Sequence, residues 1–367
     1  MNVEIHTKKD ALIRALAAAR ACDSRGSLPA LKHVLVEAGE DGVRFTGTDL
    51  YLGISTDLYG ECDARGVFTA DGSKLVAAAR ALPAGDVTLS FDGKTSLELR
   101  AGKARFRLSA TNAVDFPPVP RPSAEDRRAT IASEALLAMI NATRHAAGTD
   151  GTRPHLSGLF FEYRKGRQVT AATDGHRLAT SSQECAEGFD ALIYYRSVDE
   201  LRSLLSGHSG EVEVSCSEST VWFRCGDFEL SSKLTKEQFP PYSKVIPATS
   251  SHRITVSREL LADAVRRVGA LASDKAGAVM LTFDGGAIVV SVRDENGANE
   301  ASDEVVCDFD GSARIYLSRA YLTDALNAWS TDDVVLGVSG VLDPLTVRPV
   351  NGSKDDIAVV MPINPGS

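Results

Sequence analysis

Apolar positions along the chain fall into a pattern that recurs about every third of its length. Leu12-Ile13, Leu136-Leu137 and Leu260-Leu261 are adjacent apolar pairs spaced by 124 residues, continued on one helical face by Leu16, Ile140 and Val265. Short alternating segments precede them at residues 3–5, 130–132 and 253–256, and these predict strands. A second helical pattern follows in each third, over residues 74–82, 198–205 and 319–329. Ser73, Ser197 and Ser318 stand where an N-cap hydroxyl would accept from unpaired backbone N–H groups. Alternating strands at 87–89, 212–214 and 334–336 come next. Phe116-Pro117-Pro118 returns as Phe239-Pro240-Pro241, and Cys62, Cys185 and Cys307 keep nearly the same interval. So many landmarks at one spacing mean a tandem triplication.

Each third therefore holds two helices and many short strands, separated by turn signals such as Asp41-Gly42, Asp92-Gly93 and Asp284-Gly285. Strict alternation predicts antiparallel sheets with one buried face. The expected fold class is α+β, with three similar domains at residues 1–125, 126–250 and 251–367. The proline-rich stretch 117–128 and the shorter link 247–252 mark the boundaries.

Charge changes the picture. The net charge of −9 argues against a nucleic-acid partner when taken as a total. Its distribution points the other way: Lys and Arg outnumber Asp and Glu in the helical segments, and the excess of acid lies on strands and loops. Arg20 and Arg144 even share the repeat spacing. Basic helix faces of this kind are either ordinary solvated surface or contacts to phosphate that position a protein without reading sequence. The first residues lack the basic flank and apolar core of a secretory leader, and no apolar run is long enough to span a membrane. With six cysteines and no C-x-x-C pair, the expectation is a cytoplasmic protein with reduced thiols, without a metal site or cofactor.

The densest cluster of reactive side chains is Thr173-Asp174-Gly175-His176-Arg177-Leu178. A catalytic reading would make His176 a general base oriented by Asp174, in a hydrolase-like enzyme. No nucleophile elbow and no H-E-x-x-H accompanies the pair, so no catalytic residue is expected. A plainer reading is a tight turn. Thr48-Asp49 lies 125 residues before Thr173-Asp174, so Thr-Asp serves the fold in both repeats, whereas Gly175-His176-Arg177 faces Leu50-Tyr51-Leu52 there.

Four stretches together resemble the bacterial DNA sliding clamp family, the beta subunits of DNA polymerase III. They are Phe45-Thr46-Gly47-Thr48-Asp49-Leu50, Ala172 through Ala179, Phe239-Pro240-Pro241-Tyr242-Ser243-Lys244-Val245-Ile246-Pro247, and Val359-Val360-Met361-Pro362. The resemblance covers the chain in order. It implies a processivity factor: a head-to-tail homodimer closing a six-domain ring on double-stranded DNA, without sequence specificity. The implied partners are the DNA polymerase III alpha subunit, the clamp loader, and other polymerases and repair proteins. Matched positions imply a partner-peptide pocket built from Leu156, Thr173, Gly175, His176, Arg177, Leu178, Pro240, Lys244, Val245, Pro344, Val359, Met361, Pro362 and Ile363. Arg25, Arg153 and Lys74 are the expected DNA contacts. For ring closure, the basic strand with Arg105, Phe106, Arg107 and Leu108 is expected to meet Glu300, Asp303 and Glu304, with Leu271 nearby. Two departures stand out. Lys244 replaces a common Arg, and the tail runs Met361-Pro362-Ile363-Asn364-Pro365-Gly366-Ser367 instead of Met-Pro-Met-Arg-Leu. They predict altered affinity for some partners and keep open a paralogue with a special role such as inhibitor tolerance.

Overall fold

The structure is a computed structural model. It describes the chain except residues 1–2, 23–27, 41, 60–61, 63, 272–276, 294–298, 310 and 365–367. Six α-helices occur among the described residues: α1 (Lys9–Ala15), α2 (Gly72–Ala81), α3 (Ser133–Thr143), α4 (Tyr195–Leu205), α5 (Arg258–Val268) and α6 (Arg319–Asn327). In every third, a strand leads directly into a helix that ends in a 3-10 turn: Val3–Lys8 before α1, Arg127–Ala132 before α3 and His252–Ser257 before α5.

The helices bury the stripe that the repeat predicts, with one change of phase. Leu12 and Ala15 on α1 and Leu16 just past it are sealed, as are Leu136, Met139 and Ile140 on α3. On α5 the sealed set is Leu261, Ala264 and Val265, while Leu260 is 58% exposed. Leu261, not Leu260, is thus the counterpart of Leu136, and the core repeats at 124 and then 125 residues. The Ser257 side chain accepts from the Leu260 N–H and sets this phase. Capping differs from expectation at two of three positions. Ser318 does cap α6. In α2 the cap is Asp71, whose carboxylate accepts from Lys74 N at 2.9 Å, and Ser73 lies inside the first turn. Ser197 likewise falls inside α4, which starts at Tyr195.

The chain packs as two compact units, residues 1–133 with 199–234 and residues 134–198 with 235–367. The first holds one twelve-stranded antiparallel sheet; the second holds an eight-stranded and a four-stranded sheet. These units do not coincide with the sequence thirds, because sheets continue from one repeat into the next. In the first unit Leu52–Leu58 pairs with Phe228–Lys233, and in the second Arg177–Glu184 pairs with Ile357–Val360. The middle repeat is therefore shared. Both cores are apolar and tightly sealed, around Phe45 and Phe68 in the first unit and Phe161, Phe189 and Phe283 in the second.

Candidate functional site

Thr173 ends the strand Arg167–Thr173, and Arg177 begins the strand Arg177–Glu184. Between them the chain turns on its own side chains. Thr173 Oγ1 donates to the Arg177 carbonyl at 2.6 Å and accepts from Gly175 N at 3.1 Å. Asp174 Oδ1 accepts from His176 N and Arg177 N, at 2.9 and 3.1 Å. Gly175 has φ +94°, a backbone region that disfavours any Cβ. The first unit builds the same loop. Thr48 Oγ1 donates to the Leu52 carbonyl, and Asp49 Oδ1 accepts from Tyr51 N and Leu52 N, with Leu50 at φ +76°. The Thr-Asp pair is a fold device in both places.

The second loop differs in what it presents. Asp174 Oδ2 accepts from Arg177 Nε at 3.0 Å, so the acid is spent on the loop and the arginine, and it forms no dyad with the His176 imidazole. His176 is exposed and stacks on Tyr321 with ring centres 6.5 Å apart. The Arg177 guanidinium lies 4.3 Å from the centre of the same ring, and Asp324 takes its Nη1. Such a cation over an aromatic face is held electrostatically by the ring's negative face.

The C-terminal strand closes the site. Leu178 pairs with Val359, and Met361 N donates to the His176 carbonyl at 3.0 Å. Pro362 then bridges to Leu317, and Ile363 N donates to the Tyr316 carbonyl at 2.8 Å. Beneath the loop, Ala171, Leu178, Tyr242, Ile357 and Val359 form a buried cluster, with Phe160, Phe239 and Ile246 packed against it. Burial and the Glu162 carboxylate that accepts its hydroxyl at 2.6 Å push the Tyr242 phenol above its ordinary pKa, so it remains a donor.

Leu156, His176 and Arg177 line a cavity of about 470 Å³ together with Arg144, His145, Arg153, Asp174 and Tyr321. Arg153, expected at DNA, lines the same cavity, its Nη1 3.5 Å from where a Gly175 Cβ would stand. Leu178 and Val359 form wall rather than surface. Met361 and Val245 are 43% and 56% exposed, Lys244 is exposed, and Pro240 is half-buried beside Phe239. Pro344 sits in the turn before the strand Leu345–Pro349 and does not line the cavity. Tyr321, Asp324 and His145 went unnoticed in the sequence. Nothing local marks them, since the fold brings Tyr321 to His176 across 145 residues; Tyr242, by contrast, lay within a quoted motif. Desolvation, then the Arg177 charge, lowers the His145 pKa to about 4, and its Nδ1 has no partner among the described residues. The ring is neutral.

Of the other expected sites, Lys74 is exposed at the start of α2, and Arg25 lies outside the described residues, as do Pro365 and Gly366. Two sheet edges carry the residues expected at a subunit contact. Ala104–Asn112 pairs with Ser96–Ala101 on one side, and on the other only Ala110, Thr111 and Asn112 are paired among the described residues. Glu300–Val306 pairs with Ala287–Arg293 alone among the described residues. Phe106 and Leu108 are half-buried, and Leu271 is 49% exposed. The charges are less free than their sequence suggests. Glu98 holds Arg105 at 2.5 Å and stands 3.7 Å from Arg107, and Arg267 holds Asp303 at 2.6 Å.

A triplicated scaffold whose specialised loop borders an apolar floor and a polar cavity defines a docking protein of the DNA-clamp fold. Family models of the DNA polymerase III beta subunit match in order, the N-terminal domain over residues 1–120, the central domain over 130–241 and the C-terminal domain over 243–364. The chain belongs to this family, the bacterial beta sliding clamps. The beta sliding clamp of Caulobacter vibrioides is 32% identical over 334 residues, covering 88% of this chain and 89% of that protein. That of Pseudomonas aeruginosa is 28% identical, covering 97% and 98%. Among solved structures, the Bartonella birtlesii sliding clamp bound to griselimycin has a TM-score of 0.92 at 27% identity, covering 99% of this chain and 100% of that one.

Proposed function

We propose that the chain is a DNA polymerase processivity factor that acts without catalysis in the cytoplasm. Two copies join head to tail in a ring around duplex DNA, each contributing three domains bounded near residues 125 and 250. A ring holds DNA by topology, so weak phosphate contacts suffice and sliding is allowed. Lys74, Arg25 and Arg153 are the proposed DNA contacts. The two unpaired edges, one basic with Arg105 and Arg107 and one acidic with Glu300 and Glu304, are the proposed subunit contact, with Phe106, Leu108 and Leu271 as its apolar part.

Partner proteins carrying clamp-binding motifs, including the polymerase III alpha subunit and the clamp loader, take the site at His176 in turn. The observation that carries this reading is the bond from Met361 N to the His176 carbonyl, which fixes the exposed loop against the chain's last strand beside the 470 Å³ cavity. Apolar anchors fit the Leu178–Val359 floor, and His176, Arg177 and Arg153 supply polar fixings.

The test loads the protein on nicked circular DNA and then linearises the circle. A ring is released from the free ends, and blocking the ends retains it. Retention on open linear DNA would overturn the proposal.

A further inference from the structure

On the face of the eight-stranded sheet opposite its core, three strands build a notch. Arg253 on His252–Ser257 pairs with Gly337 on Asp333–Val338, which pairs with Thr346 on Leu345–Pro349. In the next row, Thr255 pairs with Val335 and Val335 with Arg348. Side chains two residues apart share a face, so Arg253, Thr346 and Arg348 surround the one position without a side chain. A Cβ on Gly337 would lie 2.3 Å from Thr346 Oγ1 and 2.4 Å from Ser250 Oγ. Two hydroxyls therefore meet over the glycine, at the floor of a groove of about 480 Å³.

Most of the donors here are unspent. Thr346 is only 4% exposed, yet neither its hydroxyl nor that of Ser250 has a hydrogen-bond partner among the described residues. Arg253 has no ion pair among them. Arg348 gives Nη1 to the carbonyls of Lys354, at 2.7 Å, and Asp356, at 3.3 Å, which leaves its other nitrogens. No carboxylate lines the groove, and Lys354 adds a third cation. The nearby acids are engaged elsewhere: Asp355 with Arg164, and Asp356 with Ser181 and with the backbone of Ser182 and Ser353. Burial, then the like charge of Arg253, depresses the Arg348 pKa. An anion between the two guanidiniums would relieve that repulsion.

We propose that this notch is a phosphate-binding site, with Arg253 and Arg348 flanking the anion and the Ser250 and Thr346 hydroxyls donating from the floor. Two hydroxyls and two guanidiniums offer donors from more directions than the two oxygens of a carboxylate can use, and they match a tetrahedral dianion. The groove has room for a phosphate ester as well as the free ion. The site is independent of the docking loop and shares no residue with it.

Calorimetric titration of the full chain with inorganic phosphate, and separately with adenosine diphosphate, tests this at constant ionic strength in chloride. Saturable binding is expected, weakened at least tenfold by Arg253→Gln and by Thr346→Val, and partly restored in Arg253→Lys. Tighter binding of the diphosphate assigns the site to an ester; equal binding assigns it to the free ion. Heats no different from a chloride blank, or equal affinity in wild type and the exposed-site variant Arg253→Gln, would overturn the proposal.

Discussion

Asp174 and Asp49 each bind two successive backbone N–H groups, and Thr173 and Thr48 each close the same ring. The two loops differ at the residue between. Leu50 stands in a left-handed conformation that costs a side-chain residue about 1 kcal/mol, and Gly175 avoids that cost. His145 carries a measurable signature of its own. Burial leads the causes that hold its imidazole down at about 4, with Arg177 and Arg144 adding repulsion and Asp324 and Asp174 opposing them. The unfolded ring binds a proton near 6.5, so acid favours the unfolded chain between pH 6.5 and 4. The contribution is complete above 6.5 and is lost as pH falls through that window. At about 1.4 kcal/mol per unit, the loss by pH 5 is about 2 kcal/mol. Urea unfolding at pH 7.5 and pH 5 should show a smaller drop in stability for His145→Phe than for wild type. Parallel drops would show that the ring is not buried neutral.

Among elements, the C-terminal strand Ile357–Val360 bears most on the proposed docking, because Met361, just past its end, bonds to the loop at His176. Replacing Met361 and His176 together by Ala removes an adaptable apolar wall and the ring that stacks on Tyr321 while sparing the backbone ladder. A peptide with a Gln and two large apolar anchors should bind this double variant at least tenfold more weakly, by fluorescence anisotropy, at unchanged thermal midpoint. Equal binding would remove the site from the proposed function. Element type and order were legible in the sequence, since a period of about 124 residues repeats helix and strand signals together. Helix phase at Leu260 was not, because adjacent leucines offer two registers and only the cap at Ser257 chooses between them. Tyr321 was invisible for another reason: it lies on α6, and its ring contact with His176 joins residues 145 apart, which leaves no local pattern.

At the scale of the whole molecule, the two free edges differ in how much charge they can offer a neighbour. Arg105 and Asp303 already have close partners within the chain, and Arg107 stands 3.7 Å from the same Glu98, which the sequence alone did not reveal, so steering falls mainly to Glu300, Glu304 and the more loosely held Arg107. Exposed pairs of this kind contribute modestly, about 1 kcal/mol or less each, and like charge opposes association. Sedimentation equilibrium should show the dimer of Arg107→Glu dissociating several-fold more readily, with recovery when Glu304→Lys is added. No change in either variant would place the subunit contact elsewhere.

Pairing of Leu52–Leu58 with Phe228–Lys233 also sets a schedule for synthesis. The first of these strands leaves the ribosome long before its neighbour exists: 233 − 58 = 175 residues must still be added. At roughly 5–20 residues per second, that edge waits on the order of 10–35 s. Six of its seven residues are buried once the sheet is complete. A nascent chain therefore carries an adhesive, half-finished sheet through nearly half of its translation.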